Sequence, residues 1–333
     1  MKILLTGASG NIGSSALQEL IRQDHVVRCL VRKSKANEKW ARTWQDNSQV
    51  EIYWGDIQQA ADVTAAVSGQ EAIIHLAFVI PPMIDEQPLL AYKTNIEGTR
   101  HLLAAAQKST PQPRILFGSS FDVFGFTQHL APPRRVSDPV QVTGTYSEQK
   151  IACEEMVKDS GLTWSIYRFS DVPPRAARKP HPVMFRIPLN TRMEVLHTAD
   201  AGLALANGLQ QEIGGKILLL GGGSTCQVHY REYLARSLEA AGIGMLPENA
   251  FGTDPYSTDW LDTSESEALL HYQRHTFEEI IQEITAASVS TVQRWLVRLL
   301  RPLVRRQILG LSPYYKQAQA KQELKSNQHA PEA

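Results

Sequence analysis

The stretch Met1-Lys2-Ile3-Leu4-Leu5-Thr6-Gly7-Ala8-Ser9-Gly10-Asn11-Ile12-Gly13 decides the fold of this chain. An apolar run ends in a glycine cluster and passes directly into the amphipathic segment Ser14 to Gln23, which reads as strand, tight turn and helix. The glycines stand as G-x-x-G-x-x-G, and each has a physical use. Gly7 permits a sharp turn off the strand, Gly10 lets the backbone approach a pyrophosphate, and Gly13 lets the first helix pack closely on the sheet. The helix N-terminus then turns free N–H groups and a positive dipole end toward the phosphates. An ordinary glycine-rich loop is the alternative. Position between strand and helix favours a dinucleotide site built from Gly7, Ser9, Gly10, Asn11, Ile12 and Gly13.

Working outward, strand-like runs recur at Ile3 to Thr6, Val26 to Val31, Val50 to Trp54, Ala72 to Leu76, Arg114 to Phe117 and Thr163 to Arg168, with helix-length segments between most of them. This alternation predicts an α/β fold, a Rossmann-like doubly wound parallel sheet, with a small C-terminal substrate-binding region. Gly214 to Gly223 reads as a late strand and turn. The second strand runs into a basic turn, Arg32, Lys33 and Lys35, where folds that prefer NAD(H) place an acid for the ribose 2′-hydroxyl. A guanidinium at Arg32 pairs with a 2′-phosphate, so NADP(H) is expected over NAD(H), against the plainer reading of a solvated basic loop.

Farther along, the fifth strand ends in Ser119-Ser120-Phe121-Asp122-Val123-Phe124-Gly125, and Tyr146-Ser147-Glu148-Gln149-Lys150 follows. Positions four apart on a helix share a face, so phenol and ammonium enter one cleft. A tyrosine with a pKa of about 10 is a poor base at neutral pH, and a nearby ammonium, helped by an oxidised nicotinamide, lowers it.

Thr6 to Gly13, the Ser-Ser segment and the Tyr-x-x-x-Lys pair together resemble the extended short-chain dehydrogenase/reductases, the NAD-dependent epimerase/dehydratase family. The resemblance spans about residues 1–286. It implies that Ser120, Tyr146 and Lys150 are catalytic, with Tyr146 and Lys150 also at the cofactor, and that Asn95 of Asn95-Ile96-Glu97-Gly98-Thr99 supports the active site. It further implies that Asp56 meets the adenine amino group with Ile57 beside it at the cofactor, that Leu76 and Ala77 lie along the cofactor, and that a homodimer forms through a four-helix interface. His75 is read as a buried strand histidine rather than a proton donor. Where the family reads Arg-Pro-x-Asn-Val-Tyr-Gly-Pro, this chain has Phe169 for Pro and Asp171 for Asn, and the Tyr-Gly is lost; Phe124 replaces the earlier Tyr. A carboxylate at 171 repels a substrate diphosphate. The expected function is therefore reversible carbonyl/alcohol redox on a nonnucleotide small molecule. The alternatives are a sugar-nucleotide epimerase/dehydratase and a catalytically silent dinucleotide sensor. Val183, Met184, Phe185 and Ile187 suggest a partly apolar lid, or simply core.

The 333 residues carry 34 Lys/Arg and 34 Asp/Glu, which argues against a nucleic-acid partner. Cys29, Cys153 and Cys226 lack metal or disulfide spacing, so they read as reduced apolar residues in a cytoplasmic protein, and no metal site is expected. No signal peptide or membrane span is predicted. The expected organisation is a dinucleotide-binding domain over 1–170, an interleaved substrate region over 171–286, basic amphipathic helices over 287–315 and a disordered tail over 316–333. Residues 288–333 hold eight Lys/Arg against two Glu, a net of +6, which leaves 26 Lys/Arg against 32 Asp/Glu, or −6, on the remainder. Arg294, Arg298, Arg301 and Arg305 form one stripe, and Val292, Trp295, Leu296, Leu299 and Leu303 another, with Pro302 breaking or kinking the helix. Two readings stand for residues 290–309: peripheral contact with an anionic membrane, or an apolar face packed on the body or on a second subunit.

Overall fold

A computed structural model describes residues 1–175, 180–288 and 290–319. The first half alternates β1 (Lys2–Thr6), α1 (Asn11–Arg22), β2 (Val26–Val31), α2 (Lys35–Arg42), β3 (Val50–Trp54), α3 (Ala60–Val67) and β4 (Ala72–His75). Short helices α4 (Met83–Glu86) and α5 (Pro88–Tyr92) lead through a π-helical turn, Lys93–Glu97, into α6 (Gly98–Lys108); β5 (Arg114–Ser120), α7 (Thr145–Lys158) and β6 (Trp164–Phe169) follow. The later chain comprises β7 (Arg192–Glu194), α8 (Thr198–Gly208), β8 (Lys216–Leu220), β9 (Gln227–His229), α9 (Tyr230–Ala240), α10 (Ser264–Leu270), α11 (Phe277–Ser288), α12 (Thr291–Leu299) and α13 (Arg301–Leu309).

Seven parallel strands make one sheet in the order β3-β2-β1-β4-β5-β6-β8, the expected doubly wound architecture. Ile3, Leu4 and Leu5 are fully buried because helices cover both faces of the sheet. On one face α1 and α8 pack closely. A Cβ on Gly202 would lie 2.5 Å from the Ser15 carbonyl carbon, and the Ser15 and Thr198 hydroxyls bond at 2.6 Å. Buried residues of α3, α6 and α7 join the core on the other face. The chain order reverses between β1 and β4, and ligands of open α/β sheets bind beyond the strand ends at such a switch point.

Two strands escaped the sequence pattern. β7 and β9 are three residues each and pair antiparallel, too short for any periodicity to show. They join α9, Phe185, Phe251, α11 and α13 in a separate core beneath the late chain. Phe185 of the suggested lid belongs to that core, whereas Val183 is exposed. His197, Asp200 and His275 cluster there, their ligand atoms within 4.8 Å of one another. The two rings stack at 3.8 Å, His275 Nδ1 bonds Asp200 at 2.6 Å, and His197 Nε2 bonds Glu283 at 2.5 Å. Each imidazole is thus committed to its own carboxylate, and the cluster fastens the start of α8 to the segment that enters α11.

The C-terminal helices depart from one expectation. In α12 it is the arginine side, not the apolar side, that turns toward the body. Arg298 and Arg301 approach Glu239 at 3.9 and 3.7 Å, Arg301 Nε donates to the Ile243 carbonyl, and Arg305 donates to the carbonyls of Ile243, Gly244 and Met245. Ile308 and Leu309 of α13 are buried, but Val292, Trp295, Leu299 and Leu303 are 68, 63, 64 and 65% exposed. Pro302 sits in the first turn of α13 and separates the two helices, as a residue without an amide hydrogen should. Residues 313–319 are helical, and 320–333 lie outside the described residues.

Candidate active site

The glycine turn is closed by its own backbone. Gly7 adopts φ +72°, and a Cβ there would lie 2.8 Å from the amide nitrogen of Ala77. A Cβ on Gly13 would lie 2.0 Å from the Gly7 carbonyl oxygen, so no side chain fits. Gly10 is the N-cap of α1, with no side chain closing the helix end and no acid in the first turn. These features fit a dinucleotide pyrophosphate: the amides are uncovered and the cradle admits only glycine. Ser9 Oγ donates to Asn37, whose amide in turn donates to the Arg32 carbonyl, tying the turn to the end of β2. The Arg32 side chain is exposed, and Ser34 caps α2 beyond it. Asn11 faces elsewhere, donating to the carbonyls of Val172 and Pro173, and Ile12 packs on the core beneath the turn.

The strand ends supply the rest of the groove. Thr6 Oγ1 accepts from the amides of Leu76 and Ala77 at 3.1 Å each. It also meets His75 Nδ1 at 2.8 Å, while His75 Nε2 meets Thr99 Oγ1 at 2.9 Å. Burial pushes the His75 imidazole down to about 3, so it stays neutral, bonded to two threonine hydroxyls rather than to backbone. Asp56 closes the turn after β3 by accepting from the Gln58 amide, and Ile57 is buried against Gly98. Asn95 lies fully buried in the π-helical turn. It bonds both backbone groups of Val79 and the Gln149 side chain, and so braces the loop after β4 against α7.

Ser120, Tyr146 and Lys150 come together above β5. The Tyr146 phenol shares a side-chain hydrogen bond with Ser120, and Ser120 Oγ donates to Asp122 at 2.6 Å. Lys150 Nζ donates to the Gly118 carbonyl at 2.6 Å and lies 5.8 Å from the Tyr146 ring centroid. Behind them Glu154 receives Arg168 through two bonds, 3.0 and 2.7 Å, and Ser119 at 2.6 Å.

Electrostatics correct one expectation. Burial and the Asp122 carboxylate push the Tyr146 phenol above its usual value, and the Ser120 bond only partly opposes them. Burial also lowers the Lys150 ammonium, to about 8, which leaves it charged at neutral pH. The phenol of this site therefore rests protonated, the form that gives a proton away. Burial likewise raises Asp122 to about 6, and the neighbouring Asp171 adds to the rise.

Two residues of this cluster were not singled out from the sequence. Asp122 lies inside the quoted Ser-Ser segment at a position without a prescribed residue type. Phe78 follows Ala77; its ring lies 3.6 Å from Lys150 Nζ and edge-on to Tyr146 at 6.0 Å. Nothing in its sequence neighbourhood separates it from an ordinary apolar residue.

The sequence profile of the NAD dependent epimerase/dehydratase family matches residues 3–172, and the chain belongs to that family. A D-erythronate dehydrogenase of Haemophilus influenzae is 26% identical over 168 residues, which cover 48% of this chain and 50% of that one. A UDP-glucose 4-epimerase of Halalkalibacterium halodurans is 30% identical over 161 residues, 47% of this chain and 45% of that enzyme. The chain thus spans about half the length of the curated relatives it matches. Among solved structures, a UDP-glucuronic acid 4-epimerase from Bacillus cereus in complex with UDP-glucuronic acid and NAD superposes with a TM-score of 0.71 at 19% identity, over 86% of this chain and 98% of that one.

Proposed function

We propose that this chain is a dinucleotide-dependent oxidoreductase that interconverts a carbonyl and an alcohol on a nonnucleotide small molecule. The observation that carries the reading is the convergence of the protonated Tyr146 phenol on Ser120, with Lys150 on the same helix face. A bound nicotinamide would supply or accept the hydride. Ser120 holds the substrate oxygen by a hydrogen bond, and Tyr146 gives its proton to that oxygen as the carbonyl becomes an alcohol, or takes it back in the reverse direction. Lys150 would hold the nicotinamide ribose when the cofactor is bound, and it keeps positive charge beside the phenolate left behind. Glu154 and Arg168 fix α7 against β6, and Asn95 fixes the loop that carries Phe78.

Asp122 and Asp171 lie close enough to raise the Asp122 pKa together, and this paired negative charge supports a substrate without a diphosphate. Arg32, exposed beyond β2, supports selection of a 2′-phosphate and hence NADP(H) over NAD(H).

The test is a fluorescence titration with NADPH and with NADH, followed by turnover of a panel of aldehydes and ketones. Tighter NADPH binding that Arg32→Ala weakens, and turnover that Tyr146→Phe abolishes while cofactor still binds, are expected. NAD retained through purification together with epimerisation of a nucleotide sugar would overturn the assignment in favour of an epimerase. Cofactor binding without turnover of either substrate class would make the chain a sensor.

A further inference from the structure

The outward face of α12 and α13 has no role in the proposed reaction. Val292, Trp295, Leu296 and Leu299 stand at i, i+3, i+4 and i+7 on one side of α12, and all are exposed, as are Leu300 at the junction and Leu303 of α13. A helix docked on a globular body ordinarily buries that side. Here the opposite side is tied down through Arg301 and Arg305 to the carbonyls of Ile243 to Met245, while the apolar residues face away.

We propose that this face lies in the interfacial layer of an anionic phospholipid bilayer. Trp295 and the leucines enter the boundary between headgroups and acyl chains, and the exposed Arg306 reaches the phosphates at its edge.

Charge selects the occupant. Residues 288–333 carry a net of +6, and the side chains of Arg298 and Arg301 remain 59% and 44% exposed despite their contacts with Glu239. The groove behind the helix is lined by Arg236, Arg294 and Arg298 against Glu239 and Glu278, and the buried Nε of Arg294 has no hydrogen-bond partner among the described residues. A second copy of the chain fits less well. A two-fold contact sets the same patch against itself, so that one +6 segment would face another. Anionic lipid instead neutralises that charge, each arginine near such a surface adding about fivefold to binding. Among the described residues no helix is long and apolar enough to cross a membrane, and α12 and α13 are nine residues each, so the face lies on a bilayer rather than through it.

The experiment is co-sedimentation of the full chain with vesicles of phosphatidylcholine alone and of phosphatidylcholine mixed with phosphatidylglycerol, alongside sedimentation velocity without lipid. Partition onto the mixed vesicles is expected, weakened about tenfold by Leu299→Asp, which removes one inserted side chain. Arg306→Ala should weaken it about fivefold, and added salt should weaken it further. Both positions are exposed, and an unchanged thermal midpoint identifies a folded variant. Failure to sediment with the mixed vesicles, or sedimentation indifferent to Leu299→Asp, overturns the proposal. So does a lipid-free dimer that Leu299→Asp dissociates, which would assign the face to a second copy.

Discussion

Replacing Asp122 with asparagine probes the active-site electrostatics without requiring a substrate. The carboxyl is held at about 6 in the folded chain, against 3.8 for an ordinary aspartate, because burial and Asp171 disfavour its charge more than the Ser120 bond favours it. The unfolded chain releases this proton near 3.8, while the folded chain keeps it until about 6. Below the lower value both states are protonated and the site costs nothing. As pH rises through the window the unfolded state holds fewer protons, so stability falls, and above the upper value the loss is complete. The interval corresponds to about 3 kcal/mol. The amide in Asp122→Asn does not titrate. Denaturant unfolding of wild type and variant, measured at intervals from pH 4 to pH 7.5, isolates Asp122 with its coupling to Asp171, because the contributions of carboxylates that do not interact with it cancel in the difference. Relative to Asp122→Asn, the wild type should lose about 2 kcal/mol across that range, the remainder of the total having gone by pH 4. A difference that is flat with pH, or wild type gaining on the variant as pH rises, would refute the reasoning. The second outcome would mean that Asp122 is stabilised as an anion, and that the Tyr146 phenol is not raised by an uncompensated neighbour.

Other perturbations follow from single contacts. Gly13→Ala places a methyl group against the Gly7 carbonyl oxygen; the turn must open, and we expect loss of measurable NADPH binding with destabilisation of about 1–3 kcal/mol, read by titration and by thermal unfolding. Glu154→Gln leaves the Arg168 guanidinium buried without its counter-ion and should cost about 3–5 kcal/mol in denaturant unfolding, far more than the same change at the exposed Glu265. Lys150, lowered to about 8 by burial, loses its charge as pH rises past that value, so dinucleotide affinity should decline between pH 7 and pH 9, whereas Lys150→Met binds weakly with no such decline.

What was legible in the sequence is what local geometry dictates. The glycine turn, the apolar strand runs, the amphipathic helical segments and the four-residue spacing of Tyr146 and Lys150 each depend on residues near one another in the chain, so the sheet and the convergence of the triad residues could be read. What was not legible depends on partners far away. Asp122 owes its elevated pKa to burial and to Asp171, 49 positions on. Phe78 gains meaning only because α7 brings Lys150 over its ring. The side that α13 turns to the body is marked by the carbonyls at 243–245, which accept from Arg301 and Arg305 and lie some sixty positions earlier in the chain. The direction in which the protein alone shifts the Tyr146 phenol depends on distant partners too. The spacing reports the ammonium four residues away, but not the burial and the carboxylate that outweigh it.

The positions at which this chain departs from the family's pattern are scattered along the sequence yet gathered in space. Phe124, where the family has Tyr, lies under the Arg168 guanidinium at 4.9 Å, so that an aromatic face replaces a phenol beside the pair that positions α7. Phe169, where the family has Pro, stacks on Tyr167 at the end of β6, and a Cβ on Gly118 would touch its ring at 3.5 Å, directly behind the carbonyl that holds Lys150. Asp171, where the family has Asn, adds charge toward Asp122 and through it toward Tyr146. Each departure therefore bears on the strand ends and the helix that present Ser120, Tyr146 and Lys150. Pro173, which stands where the family has Tyr, reaches the glycine turn instead, its carbonyl accepting from Asn11. On the proposed reading, Phe124, Phe169 and Asp171 alter what surrounds the Tyr146 phenol, the pattern expected when a common redox site is adapted to a different substrate.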